Sequence, residues 1–311
     1  MSSLLRVLVT ALTSMSLITD SIAAAEPAET YTPPYKTLPP AKFRGTARIN
    51  NISLWYSMHG PPLTCGRLPI VFLHGRKTSS RWWGYQIKYV ASTIGNPVIA
   101  IDTRAHGGSS DDISVPLTYE QFAHDATALL KHLKVARTGV VGRSDGANTA
   151  LSMAMHHGEV LDRAFVFGAN YRPDQLNITG LMGIMFLKEL AGRQQSEWEA
   201  LTPTGQPKNY AALAARVSAM QETAPMWDGS DFGRIKTLYQ DPRKAPIVWV
   251  ADGDSEEIVQ RQVAGDIRDG IWGSSLVMLP DVGHFAPLQD PEMFNVFLGR
   301  WVEPRAGGKG R

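Results

Sequence analysis

Val140-Val141-Gly142-Arg143-Ser144-Asp145-Gly146-Ala147-Asn148-Thr149-Ala150 is the stretch from which the rest of the chain is read. Two β-branched residues run into Gly-x-Ser-x-Gly, and small, helix-compatible residues follow. The pattern is strand, sharp turn, helix, with Ser144 at the apex. Such a turn holds the serine in a strained backbone conformation, and Gly142 and Gly146 remove the two Cβ atoms that would block it. The hydroxyl then stands clear above the strand end. The N–H of Asp145 points into the same space from a helix N-terminus, where negative charge is stabilised. In a chain with 28 glycines the pentapeptide alone also fits an ordinary strand-to-helix turn, so the surrounding sequence decides.

With 311 residues, 43% of them hydrophobic and 19% charged, the chain supports one sizeable domain with a full core. A net charge of +2 with scattered basic residues is no nucleic-acid profile. The single cysteine, Cys65, lies in a Gly/Pro-rich stretch and cannot make an internal disulfide; no Cys/His cluster has zinc spacing, and nothing requires a metal or an organic cofactor. Arg6, the apolar run from Val7, and Ala23-Ala24-Ala25 read as a signal peptide over residues 1–25, with a mature start near Glu26 and a secreted or periplasmic destination. No later segment has the roughly 18 uninterrupted apolar residues of a membrane span. Residues 26–42, rich in proline, read as an extended linker outside the core, and 303–311 as a solvated tail.

Between them, residues 43–302 alternate strand and helix. A hairpin is expected around Asn50-Asn51. Ile70–Leu73, Val98–Ile101, Gly139–Gly142, Ala164–Phe167, Ile247–Val250 and Ser275–Leu279 are short apolar runs of buried-strand length. Ser79–Ala91, Tyr119–Leu133, Glu256–Asp269 and Pro291–Val302 read as helices, with Thr118 and Gln121 forming a capping box for the second. From Pro173 to about Gln240 helical runs replace the strand signal, as expected of a small helical cap over 173–240. This order implies an α/β fold, a mostly parallel sheet covered on both faces, with ligands bound at the carboxyl ends of the strands. His74, Asp102, Ser144 and the acids after Val250 all sit at such ends.

Here the chain resembles the α/β-hydrolase family, from about Phe43 to Val302. His74-Gly75-Arg76 is similar to its oxyanion-loop motif, and Asp102 to Ser110 to its Asp-x-Arg-x-x-Gly-x-Ser loop. Gly142–Gly146 is similar to the nucleophile elbow, and Asp281-Val282-Gly283-His284-Phe285 to the segment carrying the catalytic histidine. The family order, Ser then Asp/Glu then His, is the order here. The resemblance implies Ser144 as nucleophile, His284 as base, and the N–H groups of Arg76 and Asp145 as oxyanion donors. Asp252, Asp254 and Glu256 compete for the acid. Asp252 sits nearest the strand end, Asp254 has the usual residue type, and family spacing favours Glu256. Glu257 is expected to serve a helix N-terminus, and His74, Asp102, Arg104 and His106 to brace loops. His124, His156 and His157 are expected to be solvated or structural.

Serine at position 144 implies acyl-enzyme chemistry rather than the alkyl-enzyme chemistry of family members with an aspartate nucleophile. The leading expectation is a carboxylesterase-like enzyme acting on a small-molecule ester with a small or medium acyl group. Amides, lactones, peptides with a free N-terminus and C–C bonds are alternatives within the same chemistry, and a catalytically silent binding member is the alternative outside it. Trp227, Met182, Met185 and Phe186 are candidates for an acyl pocket, although their helical spacing also suits plain core. Asp145 reads either as a surface carboxylate at a helix start or as a recognition group for a cationic substrate. The oligomeric state is not legible in the sequence.

Overall fold

The computed structural model describes residues 35–177, 188–237 and 245–303. Strands β1 (Phe43–Ile49) and β2 (Ile52–His59) form a hairpin. Asn50 and Asn51 make its two-residue turn at φ of 44° and 66°, a left-handed region that asparagine tolerates and that matches the twist of the flanking strands. The sheet continues with β3 (Ile70–Leu73), β4 (Val98–Ile101), β5 (Thr138–Arg143), β6 (Leu161–Phe167), β7 (Ile247–Gly253) and β8 (Ser275–Leu279). Its spatial order is β1-β2-β4-β3-β5-β6-β7-β8. The β1–β2 and β2–β4 pairs are antiparallel, and all others are parallel. The order reverses beside β3, so the carboxyl ends of β3 and β5 border a crevice where ligands bind in open α/β sheets.

Alternate residues feed two cores, one on each face. Phe72, Phe165 and Phe167 pack with Trp83, Phe294 and Trp301 on one side. Leu73, Ile101, Val140 and Val166 pack with Phe122, Leu130 and Leu151 on the other. Coverage on both faces is why β3, β4 and β5 are buried along their whole length without alternation.

The covering helices include α1 (Gly84–Lys88), α2 (Tyr119–His132), α3 (Asp145–His156), α7 (Val263–Gly270), α8 (Ala286–Gln289) and α9 (Pro291–Val302). Between β6 and β7 the described residues form α4 (Lys188–Leu201), α5 (Tyr210–Thr223) and α6 (Gly229–Thr237). The helical reading of Ser79–Ala91 meets a segment wound in three ways: a tight 3-10 turn over Ser80–Trp83, then α1, then a wider π turn over Tyr89–Ile94.

Three readings change. The expected capping box is half formed: Thr118 accepts the N–H of Gln121 at 3.0 Å, but the Gln121 amide turns away to Asp125 at 2.9 Å. The helix expected from Glu256 begins only at Val263, because Glu256 folds back on the backbone that follows it and Val259 bridges to Leu176. The end of the presumed linker is not outside the core. Tyr35 packs on Trp82 with ring centroids 5.5 Å apart, and Leu38 joins the cluster around Trp83. Apolar side chains spaced among the prolines account for this.

The loop after β4 is fastened to α2 by a buried ion pair. Arg104 donates from Nε and Nη2 to the two oxygens of Asp125, each at 2.9 Å, with both side chains at most 2% exposed. Asn50 adds a third bond to the same carboxylate at 2.8 Å, tying in the β1–β2 turn. Asp125→Ala should cost about 3–5 kcal/mol in urea unfolding, because it leaves a guanidinium buried and unmatched. Arg104→Met combined with Asp125→Leu should cost much less, since no charge is then buried alone.

Candidate active site

At the end of β5 the backbone of Ser144 takes φ 55° and ψ −123°, a conformation that costs on the order of 1–3 kcal/mol. The surroundings enforce it. The Ser144 N–H is held by the Phe167 carbonyl at 2.9 Å, and its own carbonyl accepts the N–H groups of Ala147 and Asn148 at 2.8 and 3.0 Å. A Cβ on Gly142 would stand 2.1 Å from the Gly146 carbonyl oxygen, and one on Gly146 would stand 2.2 Å from that of Leu73. No other residue type fits either position.

His284 lies in the turn between β8 and α8 and is 2% exposed. Its Nδ1 is 2.9 and 3.0 Å from the two oxygens of Glu256, which leaves Nε2 free for a second partner. Glu256 also accepts the N–H groups of Ile258 and Val259 at 2.8 and 3.0 Å. Burial by itself pushes this carboxyl up. The His284 charge and hydrogen bond, a hydrogen bond from Asp252 and the Val259 N–H more than offset that and hold it down at about 2. Burial and then the charge and hydrogen bond of Glu256 push Asp252 well above the usual carboxylate range, which favours its protonated form. Asp254 turns away, its backbone N–H bonded to Leu279 and its side chain to Ser255. Of the three competing acids, Glu256 is the one the fold brings to the imidazole.

Ser144, His284, Arg76, Asp145 and Lys77 line one cavity of about 160 Å³. Behind it, His74 fixes the loop after β3. The Thr103 N–H donates to its Nε2 at 3.0 Å, so the ring proton sits on Nδ1 and goes to the Gly75 carbonyl at 2.8 Å. Burial drives the His74 pKa down to about 3, and it braces as a neutral ring. Asp102 accepts the N–H groups of Ser80 and Gly108 at 2.8 and 2.9 Å. Burial raises its pKa to about 6, against the pull of those bonds. His106 donates to the Arg104 carbonyl at 2.8 Å. His124 and His157 stack 6.1 Å apart, away from the cavity.

Asp145 is no surface carboxylate. It is 6% exposed, and one oxygen accepts both the Tyr119 hydroxyl at 3.1 Å and the Gln221 amide at 2.8 Å. Trp227 does not reach the cavity: its ring is buried between Tyr119 and Phe232, with centroids at 6.2 and 6.4 Å. Met182, Met185 and Phe186 lie outside the described residues. The cap helices contribute Leu190, Gln194, Tyr210 and Gln221 to the wall instead. None of these carried a signal, because ordinary helix residues reach a site only through the way their helices pack. Gly168 was also missed. At φ 62° after β6, its absent Cβ leaves the space that His284 Cε1 would otherwise contest at 2.8 Å. Among the described residues no group of three or more His, Cys, Asp or Glu is placed to hold a metal ion, and no helix is long and apolar enough to cross a membrane.

The sequence profile of the alpha/beta hydrolase family matches residues 70–295. A putative carbamate hydrolase, RutD, of Caulobacter segnis is 24% identical over 278 residues, covering 80% of this chain and 96% of that protein. A probable alcohol acetyltransferase of Cyberlindnera jadinii is 31% identical over 124 residues, covering 38% of this chain and only 35% of that protein. Among solved structures, Est816, described as an N-acyl homoserine lactone degrading enzyme, superposes with a TM-score of 0.63 at 22% identity, covering 82% of this chain and 98% of that one. An enol-lactonase from Burkholderia xenovorans superposes with a TM-score of 0.61 at 18% identity, covering 81% and 97%. At such identities these two likenesses concern the fold.

The acids beside His284 make stability depend on pH. Burial, followed by the charge of Glu256, raises Glu257 from its ordinary 4.5 to about 7. Its folded form therefore binds a proton more tightly than the unfolded chain does. That contribution is present below pH 4.5 and is lost as pH rises to about 7, at no more than about 1.4 kcal/mol per pH unit. Glu257→Gln should flatten the decline between those limits in urea titrations, leaving the part that Asp252 contributes in the same direction.

Proposed function

The chain belongs to the alpha/beta hydrolase family, and from that premise we propose that it is a serine hydrolase cleaving carboxylic esters of small or medium acyl groups through an acyl-enzyme. The observation that carries the reading is the contact of His284 Nδ1 with Glu256, on a cavity that also holds the strained Ser144. In this reading His284 Nε2 takes the Ser144 proton as Oγ attacks the ester carbonyl. The ionised Glu256 keeps the ring proton on Nδ1 and stabilises the imidazolium without taking the proton itself. The N–H groups of Arg76 and Asp145 receive the oxyanion. His284 then protonates the leaving alkoxide, and a water activated by the same ring releases the acid. The cycle uses no cofactor.

A modest cavity lined by the cap helices α4 and α5 supports short acyl groups over long lipids. Lactones and carbamates form the second reading. It is favoured by the near full-length match to a putative carbamate hydrolase, and the same nucleophile and base would serve it. Residues 1–25, outside the described part, we read as a signal peptide removed on export. Intact-mass measurement of exported protein should then give a start near Glu26.

Treatment with a fluorophosphonate should place a single label on Ser144, and Ser144→Ala should abolish both labelling and turnover. Across a series of activated esters, kcat/KM should fall with acyl length. Glu256→Gln should lower kcat by about 10⁴-fold, the loss expected when the imidazole is deprived of its orienting anion. A label on any other serine, or a variant at Glu256 with wild-type kcat, would remove the assignment.

A further inference from the structure

Two ionisable side chains, Arg143 on the cavity wall and Glu257 behind it, play no part in the scheme above. Arg143 immediately precedes the nucleophile, and Glu257 immediately follows the acid. Both are buried, at 6% and 7% exposure. Each binds the backbone of the same residue. The His284 N–H donates to Glu257 Oε2 at 2.9 Å, and the His284 carbonyl accepts from Arg143 Nη1 at 3.3 Å. Just upstream, the Gly283 N–H goes to the Gln289 side chain at 2.9 Å. His284 stands in a turn, where no strand ladder or helix orders its peptide groups. A carboxyl and a guanidinium take that place, one holding the His284 N–H and the other its carbonyl.

Stability alone does not explain either group. Among the described residues Arg143 makes no ion pair. Its guanidinium lies 4.8 Å from the Phe285 ring and 6.0 Å from that of Trp82. The second oxygen of Glu257 is buried with no partner, a costly arrangement that an apolar residue would avoid. What the two share is the histidine between them.

We propose that Arg143 and Glu257 are positioning residues that grip the His284 peptide from its two sides and fix the reach between Ser144 and the imidazole. The proposal rests on the serine-hydrolase reading. Arg143 is the last residue of β5, directly before Ser144, so it ties the base to the nucleophile. Glu257 ties the base to the loop that carries Glu256. The reacting groups thereby move as one unit, and the grip acts on kcat rather than on substrate binding.

The test uses the full chain and four variants: Arg143→Lys, Glu257→Ala, Glu257→Gln and the double variant Arg143→Lys/Glu257→Ala. Turnover of p-nitrophenyl acetate, labelling of Ser144 by a fluorophosphonate, and thermal midpoints are measured for each. Glu257→Ala should lower kcat by up to about 10²-fold, the size of effect produced by a misplacement of about 1 Å, with KM nearly unchanged. Glu257→Gln keeps an acceptor oxygen and should recover most of the loss. Arg143→Lys should lower kcat by about tenfold, and the double variant should lose less than the product of the two singles, since both act through one group. If Glu257→Ala does not fold, Arg143→Lys and the near-normal kcat of Glu257→Gln carry the test. The proposal is overturned if Arg143→Lys and Glu257→Ala keep kcat within about twofold of wild type. It is equally overturned if kcat losses track the thermal midpoint and the glutamine brings no recovery. Wild-type protein that is active but not labelled at Ser144 would instead sink the serine-hydrolase reading itself.

Discussion

The structure depends on one close approach: the backbone of α3 against the ends of β3 and β5. Gly142 lies against the backbone of Gly146, and Gly146 against that of Leu73, so tightly that a single methyl at either place would run into a carbonyl oxygen. That contact forces the chain to reverse at Ser144 with positive φ. The reversal sends α3 back under the sheet, where Ala147, Ala150 and Leu151 are fully buried. The same turn that presents the hydroxyl therefore anchors the central helix, and the backbone strain at the serine is offset by the packing it allows.

Around this fixed point the electrostatics are uneven. Asp252, Glu256 and Glu257 crowd one imidazole, and burial raises the cost of charge on all three. The crowding sorts their protons. Glu256, bonded to the ring and to two backbone N–H groups, is held toward its charged form, whereas burial and the charge of Glu256 push Asp252 toward its protonated form. Groups with nearly equal intrinsic acidity are driven apart by environment, as the division of roles in an acid–base site requires. Arg143, pushed down to about 10 by burial yet still cationic, balances the charge of the cluster from the nucleophile side.

The binding end is built differently. Asp145 is anchored by Tyr119 from α2 and Gln221 from α5, so body and cap meet at the residue after the nucleophile. Trp198 of α4 donates to the Ala105 carbonyl at 2.9 Å, a second tie between cap and sheet loops. The cap is thus joined to the site by hydrogen bonds at specific residues as well as by apolar contact.

The sequence by itself determined the elements whose signals are local. Short apolar runs marked the buried strands, Asn50-Asn51 the hairpin, and Pro291 the start of the last helix. Gly-x-Ser-x-Gly marked the turn, because a backbone conformation open to few residue types leaves its trace in the residues themselves. Family spacing pointed to Glu256 over Asp252 and Asp254, but only the tertiary structure brings that carboxylate to a ring 28 positions away. It also turned Glu257 from an expected helix-end charge into the partner of the His284 N–H, since the helix begins later than its propensities suggest. Gly168, Arg143 and Gln221 belong to the same class. Their side chains, or the lack of one, matter through the close approach of segments distant in sequence, and such approach is set by the packing of the whole sheet.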